Sequence, residues 1–248
     1  MQSSNPAIAV MSREAGTINF GGTEAAATVS GTANKSLLLA AVTVVCGYLS
    51  MDYALQNLAA TGTTPRGIMT IAIIVALIVA LVTCFKPNFS PVTAPIYAVS
   101  EGVGLGTLSA FFETRYPGIV STAIMATFVV VMCMLALWKF KVVVVTAKFR
   151  SVVIGATGAI FILYILNFIL GIFDIHLLPH SGPLAIGISV VICAVAALNL
   201  ILDFENIQIA CDQGLPKYFE FFNAFSLLVT ICWLYIEILR LLAHLREE

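Results

Sequence analysis

Charge is what this sequence has least of. Only 10% of its 248 residues are Asp, Glu, Lys or Arg, while 60% are hydrophobic; a soluble domain carries roughly 25% charged residues. Mean hydropathy is +1.02. So few charges cannot cover a water-exposed surface of this size, which excludes a soluble enzyme. Twelve basic residues against thirteen acidic ones give a net charge of −1, so no basic face points to nucleic acid. Histidine is scarce, at three residues, and none lies mid-way along an apolar run. That removes a Ser–His nucleophile pair, and no HExxH motif offers a metalloprotease. No glycine motif leads into an aspartate as an intramembrane aspartyl protease requires, and the last apolar run has no lysine to hold retinal. The six cysteines show no CxxC and no His partner at ligand spacing, so they read as small buried hydrophobes, not as a disulfide framework or metal site. No cofactor site is expected. The first 35 residues lack the charged-then-apolar order of a cleavable signal peptide.

Long apolar runs are what is there. A bilayer core of about 30 Å needs roughly 20 apolar residues in a helix, and seven stretches qualify: Ser36–Leu55, Gly67–Phe85, Val92–Phe112, Gly118–Trp138, Ser151–Phe173, Pro183–Ala210 and Phe221–Ala243. Gly/Pro breakers and short loops join them, so consecutive helices should be antiparallel neighbours. The alternating segments of a membrane β-barrel are missing. The expected fold is therefore all-α: a polytopic membrane protein whose partner is the lipid bilayer. Residues 1–35, rich in Ser, Thr, Ala, Gly and Asn, are expected as a mobile polar tail, with an interfacial segment near Ile18-Asn19-Phe20. Residues 36–248 are expected as the transmembrane domain. With the N-terminus cytoplasmic, that side holds Arg13, Lys35, Lys86, Lys139, Lys141, Lys148, Arg150 and Lys217, and the other only Arg66, Arg115, Arg240 and Arg246. The positive-inside rule favours this orientation.

Ionisable residues inside a span cost at least ~2.5–3.5 kcal/mol at the helix centre, so they mark candidate sites. Three qualify: Glu101 in the third span, Asp203 in the sixth and Glu237 in the seventh. Asn199, Asp203 and Asn206 fall at i, i+4 and i+7, on one face of the sixth span. Asn223, Ser226, Thr230, Trp233, Glu237 and Arg240 form a stripe on the seventh. A polar stripe cannot face lipid cheaply, so the seventh helix is expected at the centre of the bundle. Asp203 lies 13 residues before Pro216 and Thr230 lies 14 after it, which puts them at one depth across a hairpin. Glu237 sits roughly 10 Å deeper, too far to touch Asp203. Glu101, about ten residues into its span from the same membrane face, could approach Asp203. Two readings stand: a polar pathway or protonation switch built on Asp203, or inter-helix hydrogen bonds that fix the bundle. For Glu237 the alternative is an i, i+3 pair with Arg240. Gly102 and Gly106, at GxxxG spacing, and also Gly155 and Gly158, point to close helix packing. His176 and His180, with Asp174 nearby, have metal-ligand spacing, but Pro179 breaks the helix such a site would need.

Four segments carry a family resemblance. They are Asn34-Lys35, the run PIYAVSEGVGLG from Pro95 to Gly106, the run LNLILDFENI from Leu198 to Ile207, and the run WLYIEILRLL from Trp233 to Leu242. In order and spacing they resemble the bacterial branch of the Bax inhibitor-1 family. The resemblance implies six helices around a central seventh, in a bacterial cytoplasmic membrane. It also implies a pH-sensitive calcium leak gated by paired aspartates on the sixth and seventh helices. Asp203 takes the sixth-helix position; the seventh-helix position falls on Thr230, which cannot share a titrating proton. Glu237 and Glu101 are the candidate substitutes. The residues Asp203, Glu101, Thr230, Glu237, Asn199 and Asn206 are the expected gate and ion path, and Asp203, Glu101, Asn199, Asn206 and Thr230 supply oxygens that suit Ca²⁺. The alternative is a non-conducting regulator that acts by contacts with other membrane proteins, in protease or stress and cell-death control.

Overall fold

The computed structural model describes residues 26–63, 65–173, 179 and 182–247. The tail with Ile18-Asn19-Phe20, and Asp174, His176 and His180, lie outside the described residues. Among the described residues seven long helices follow one another: α1 Val29–Thr61, α2 Arg66–Phe85, α3 Ser90–Arg115, α4 Ile119–Lys139, α5 Ala147–Gly171, α6 Pro183–Asp212 and α7 Tyr218–Glu247. A 3₁₀ turn, Pro87–Phe89, joins α2 to α3. Six of the helices, all but α3, are long and apolar enough to cross a membrane. The protein is thus an all-helical, polytopic membrane protein. The helix least apolar by this measure, α3, holds Pro95, the glycine run and Glu101.

Local chemistry sets the helix ends. Thr28 caps α1 by accepting from Gly31 N at 3.0 Å, so α1 starts at Val29, seven residues ahead of the apolar run. Gly62, at φ 70°, closes it in the left-handed conformation that glycine tolerates. Before α4, the Glu113 carboxylate accepts from Gly118 N (2.6 Å) and Val120 N (3.1 Å), two N–H groups that the new helix leaves free.

The hydrogen bonds at the two ends of the bundle fix its direction. At one end Ala27 N donates to the Leu215 carbonyl in the α6–α7 turn, and Ser90 Oγ donates to the Tyr218 carbonyl. At the other, Tyr116 Oη donates to Glu247 (2.6 Å) and Arg246 to the Pro117 carbonyl (2.8 Å). The start of α1 and the α6–α7 turn therefore share one face.

Helix α7 packs against α1, α3, α4 and α6, and no residue from Tyr218 to His244 is exposed. The glycines at GxxxG spacing make the closest helix contact. A Cβ on Gly106 would overlap the Gly47 carbonyl of α1, and one on Gly102 would stand 2.6 Å from the Thr43 carbonyl. Gly155 and Gly158 depart from the expected packing role: a Cβ there meets nothing within 4 Å. Both lie on the outward face of α5, where a bilayer supplies the contact. The cysteines depart likewise. Cys232 is buried, but Cys84 and Cys133 are exposed and the other three half-buried, because an apolar thiol faces lipid as readily as protein.

Candidate functional site

The α6–α7 hairpin turns at Gly214, whose φ of 62° only glycine adopts freely. Asp203 lies 13 residues before Pro216 in this turn and Thr230 lies 14 after it, and the two meet across the seam. Asp203 on α6 is 7% exposed and Thr230 on α7 is 8%. Thr230 Oγ1 donates to Asp203 Oδ2 at 2.5 Å, and Ser226 Oγ donates to Oδ1 at 2.8 Å. Thr230 has a second acceptor one turn back, the Ser226 carbonyl at 3.2 Å. Both carboxyl oxygens are thus satisfied by hydroxyls alone. Chemically this is a carboxyl that can gain or lose a proton while the hydroxyls turn to suit it.

The other sequence-derived residues go elsewhere. Asn199 donates to Thr157 Oγ1 of α5 (2.7 Å) and to its own Val195 carbonyl (2.8 Å). Asn206 accepts from Arg150 of α5 at 3.0 Å. Both asparagines tie α6 to α5, while Asp203 ties it to α7. Glu237, 1% exposed, accepts from Tyr164 Oη of α5 at 2.7 Å and from Arg240 at 3.2 and 3.3 Å. Arg240 also donates to Tyr164 Oη at 2.7 Å, closing a triangle. The i, i+3 pair is therefore present, with a tyrosine added.

Glu101 does not reach Asp203. It interacts with Tyr97 on its own helix and with Cys232 of α7. Tyr97 in turn stacks edge-on against Phe225, with centroids 4.9 Å apart. Thr230 and Cys232 are two residues apart, about 200° round a helix, so the body of α7 separates the two carboxyls.

Sequence reasoning missed two partners. Tyr164 has no signal to find it, since an aromatic in an apolar run resembles lipid-facing neighbours. Glu220, 2% exposed, accepts from Thr28 N at 2.8 Å and Thr28 Oγ1 at 2.9 Å, and pairs with Lys35. The Lys35 ammonium also lies 4.6 Å from the Phe221 ring centroid. A Cβ on Gly31 would overlap the Glu220 carboxylate. Among the described residues no three His, Cys, Asp or Glu side chains are grouped to hold a metal.

No curated protein and no solved structure matches the chain. A family model described as Bax inhibitor 1 like matches residues 5–247. That match takes in every helix and both halves of the Asp203 seam, and the chain belongs to the Bax inhibitor 1-like family.

Proposed function

We propose that this protein is a pH-sensitive cation leak, with Ca²⁺ as the ion, in which seven helices span the bilayer around α7. Asp203 sets whether the α6–α7 seam is closed. The single observation that carries this reading is the Asp203 carboxyl, held inside the bundle by two hydroxyls and, among the described residues, by no cation. When Asp203 is ionised, both hydroxyls donate to it. When it is protonated, its own O–H donates to Thr230 Oγ1, whose hydrogen turns to the Ser226 carbonyl. The hydrogen bonds are kept in either state, but the charge in the seam changes. An anionic oxygen pair attracts a hard cation; a neutral one does not. Thr230 cannot hold a second titrating proton, so this gate works on one carboxyl instead of an aspartate pair. The central place of α7 is supported by the absence of any exposed residue from Tyr218 to His244. The branch resemblance and the lysines gathered at the end where α1 begins support a bacterial cytoplasmic membrane with the N-terminus inside.

The test is Ca²⁺ influx into liposomes holding the purified protein, across pH ~6–8, for wild type and Asp203→Asn. The expected result is a protein-dependent flux whose pH dependence disappears in the variant. Flux indifferent to the variant discards the gate, and no flux above empty liposomes discards the leak.

One observation favours a second reading, a non-conducting regulator that contacts other membrane proteins. Asn199, Asp203 and Asn206 of α6 and Ser226, Thr230, Glu237 and Arg240 of α7 are engaged in inter-helix bonds, and α7 stands between Asp203 and Glu101. Under that reading, deleting residues 1–30 abolishes a cellular phenotype and leaves any flux intact.

A further inference from the structure

One buried donor is left over on α7. The Asn223 side chain is 3% exposed, and its Nδ2 donates to no group among the described residues. Buried amide donors are nearly always satisfied, and where no protein acceptor serves, an internal water does. Asn223 stands three residues after Glu220 and three before Ser226. Each step is about one helical turn, roughly 4.5 Å of rise, so the three side chains lie along one side of α7. Glu220 is at the bundle end, under Thr28 and Lys35. Ser226 already touches Asp203.

We propose that Asn223 holds a water molecule that relays protons between the α6–α7 turn face of the membrane and Asp203. The proposal rests on the reading of Asp203 as the proton-responsive group. Asn223 Nδ2 donates to the water oxygen, which leaves the water's hydrogens for Ser226 Oγ. A proton arriving at the water passes one of its hydrogens to Ser226 Oγ, and the Ser226 hydrogen moves to Asp203 Oδ1. The water and the serine end neutral and Asp203 ends protonated.

Among the described residues, no charged side chain on the helices packed around Asp203 offers another route. From α5, Arg150 is bonded to Asn206, and Lys148 is exposed. Lys139 of α4 is exposed, and Glu205 of α6 itself accepts from Trp138 Nε1 of α4. Lys35 of α1 is paired with Glu220, and Asp52 of α1 is exposed and bonded to Gln56. Glu237 of α7 is taken by Tyr164 and Arg240.

The test uses the full chain in lipid membranes and follows the infrared carbonyl band of protonated Asp203, identified by its loss in Asp203→Asn. Its rate of deuterium exchange is compared in wild type, Asn223→Leu, Asn223→Met and Asn223→Gln. The two apolar variants are expected to slow exchange about tenfold or more, a barrier change of ~1.4 kcal/mol, with the band's pH midpoint kept. The glutamine variant is expected to exchange near the wild-type rate. Wild-type exchange in either folded apolar variant overturns the relay while leaving Asp203 as the gate. A wild-type protein with no Asp203 band at any pH from ~5 to 8 overturns the gate and the relay together. In sealed vesicles of one orientation, acid added on the α6–α7 turn side is expected to reach Asp203 first. A faster response from the opposite side overturns the entry face.

Discussion

Gly106→Ala is the substitution whose cost the fold states most directly. The added methyl would overlap the Gly47 carbonyl of α1, and a backbone carbonyl cannot rotate out of the way. The helices must part instead. Overpacking a tight interface costs ~1–3 kcal/mol, with the upper end fitting a backbone obstacle. Parting α1 from α3 also stretches the bonds from Ser50 Oγ to the Val103 carbonyl and to Thr107 Oγ1, both 2.9 Å. Each is worth about 1 kcal/mol. The total is about 3–5 kcal/mol, or a fall in melting temperature on the order of 10 °C. Gly155→Ala is the control from within the same molecule. Its methyl meets nothing within 4 Å, so the better helix propensity of alanine should stabilise by up to ~1 kcal/mol. Thermal unfolding of the purified protein, followed by circular dichroism in one detergent, compares the two. If both variants melt within about 2 °C of each other, the glycine contact does not hold α1 to α3.

Arg240→Ala strips the buried Glu237 of its cation and should cost about 2–3 kcal/mol, less than a fully buried pair because Arg240 is partly exposed. Adding Glu237→Gln should recover at least half of that in thermal melts, and strictly additive losses would refute the coupling. Glu220→Ala removes the acceptor of Thr28 and Lys35 and should cost about 2–3 kcal/mol. It should also speed limited proteolysis between residues 26 and 35, whereas an unchanged cleavage rate would mean the contact does not hold that segment down. Thr230→Asp places a second carboxyl in the seam, and the flux profile should resolve into two proton steps where the wild type shows one. A single unchanged step in the variant would refute the one-carboxyl gate.

Much of the fold could be read in the sequence because hydropathy reports directly on lipid contact. Each of the seven apolar runs lies within, or within two residues of, one of the helices α1 to α7. Their ends were less legible, because caps depend on polar residues that carry no hydropathy signal: Val29–Lys35 extends α1 on the strength of Thr28. The meeting of Asp203 and Thr230 was legible from counting alone, since a tight turn at Pro216 leaves little freedom in register. Glu101 was not. Its depth could be counted, but depth says nothing of which side of α7 a helix occupies. Asn199 and Asn206 share a face with Asp203 as the spacing requires, yet that face lies over the junction of two helices. It splits, with the asparagines going to α5 and the aspartate to α7.

The stripe on α7 follows the same logic at larger scale. Polar residues along α7 meet a different neighbour at each level: Ser226 and Thr230 of the stripe bond α6, Glu237 with Arg240 bonds α5, and Glu220, which precedes the stripe, bonds α1. A helix that answers three neighbours in turn has few faces left over, and no residue from Tyr218 to His244 is exposed. Among these carboxyls the partners differ in kind. Protonating Glu220 would break its pair with Lys35, and protonating Glu237 would break its pair with Arg240. Protonating Asp203 breaks no ion pair, because hydroxyls serve either charge state. If one buried carboxyl of this seam changes charge without loosening the bundle, the bonding assigns that change to Asp203.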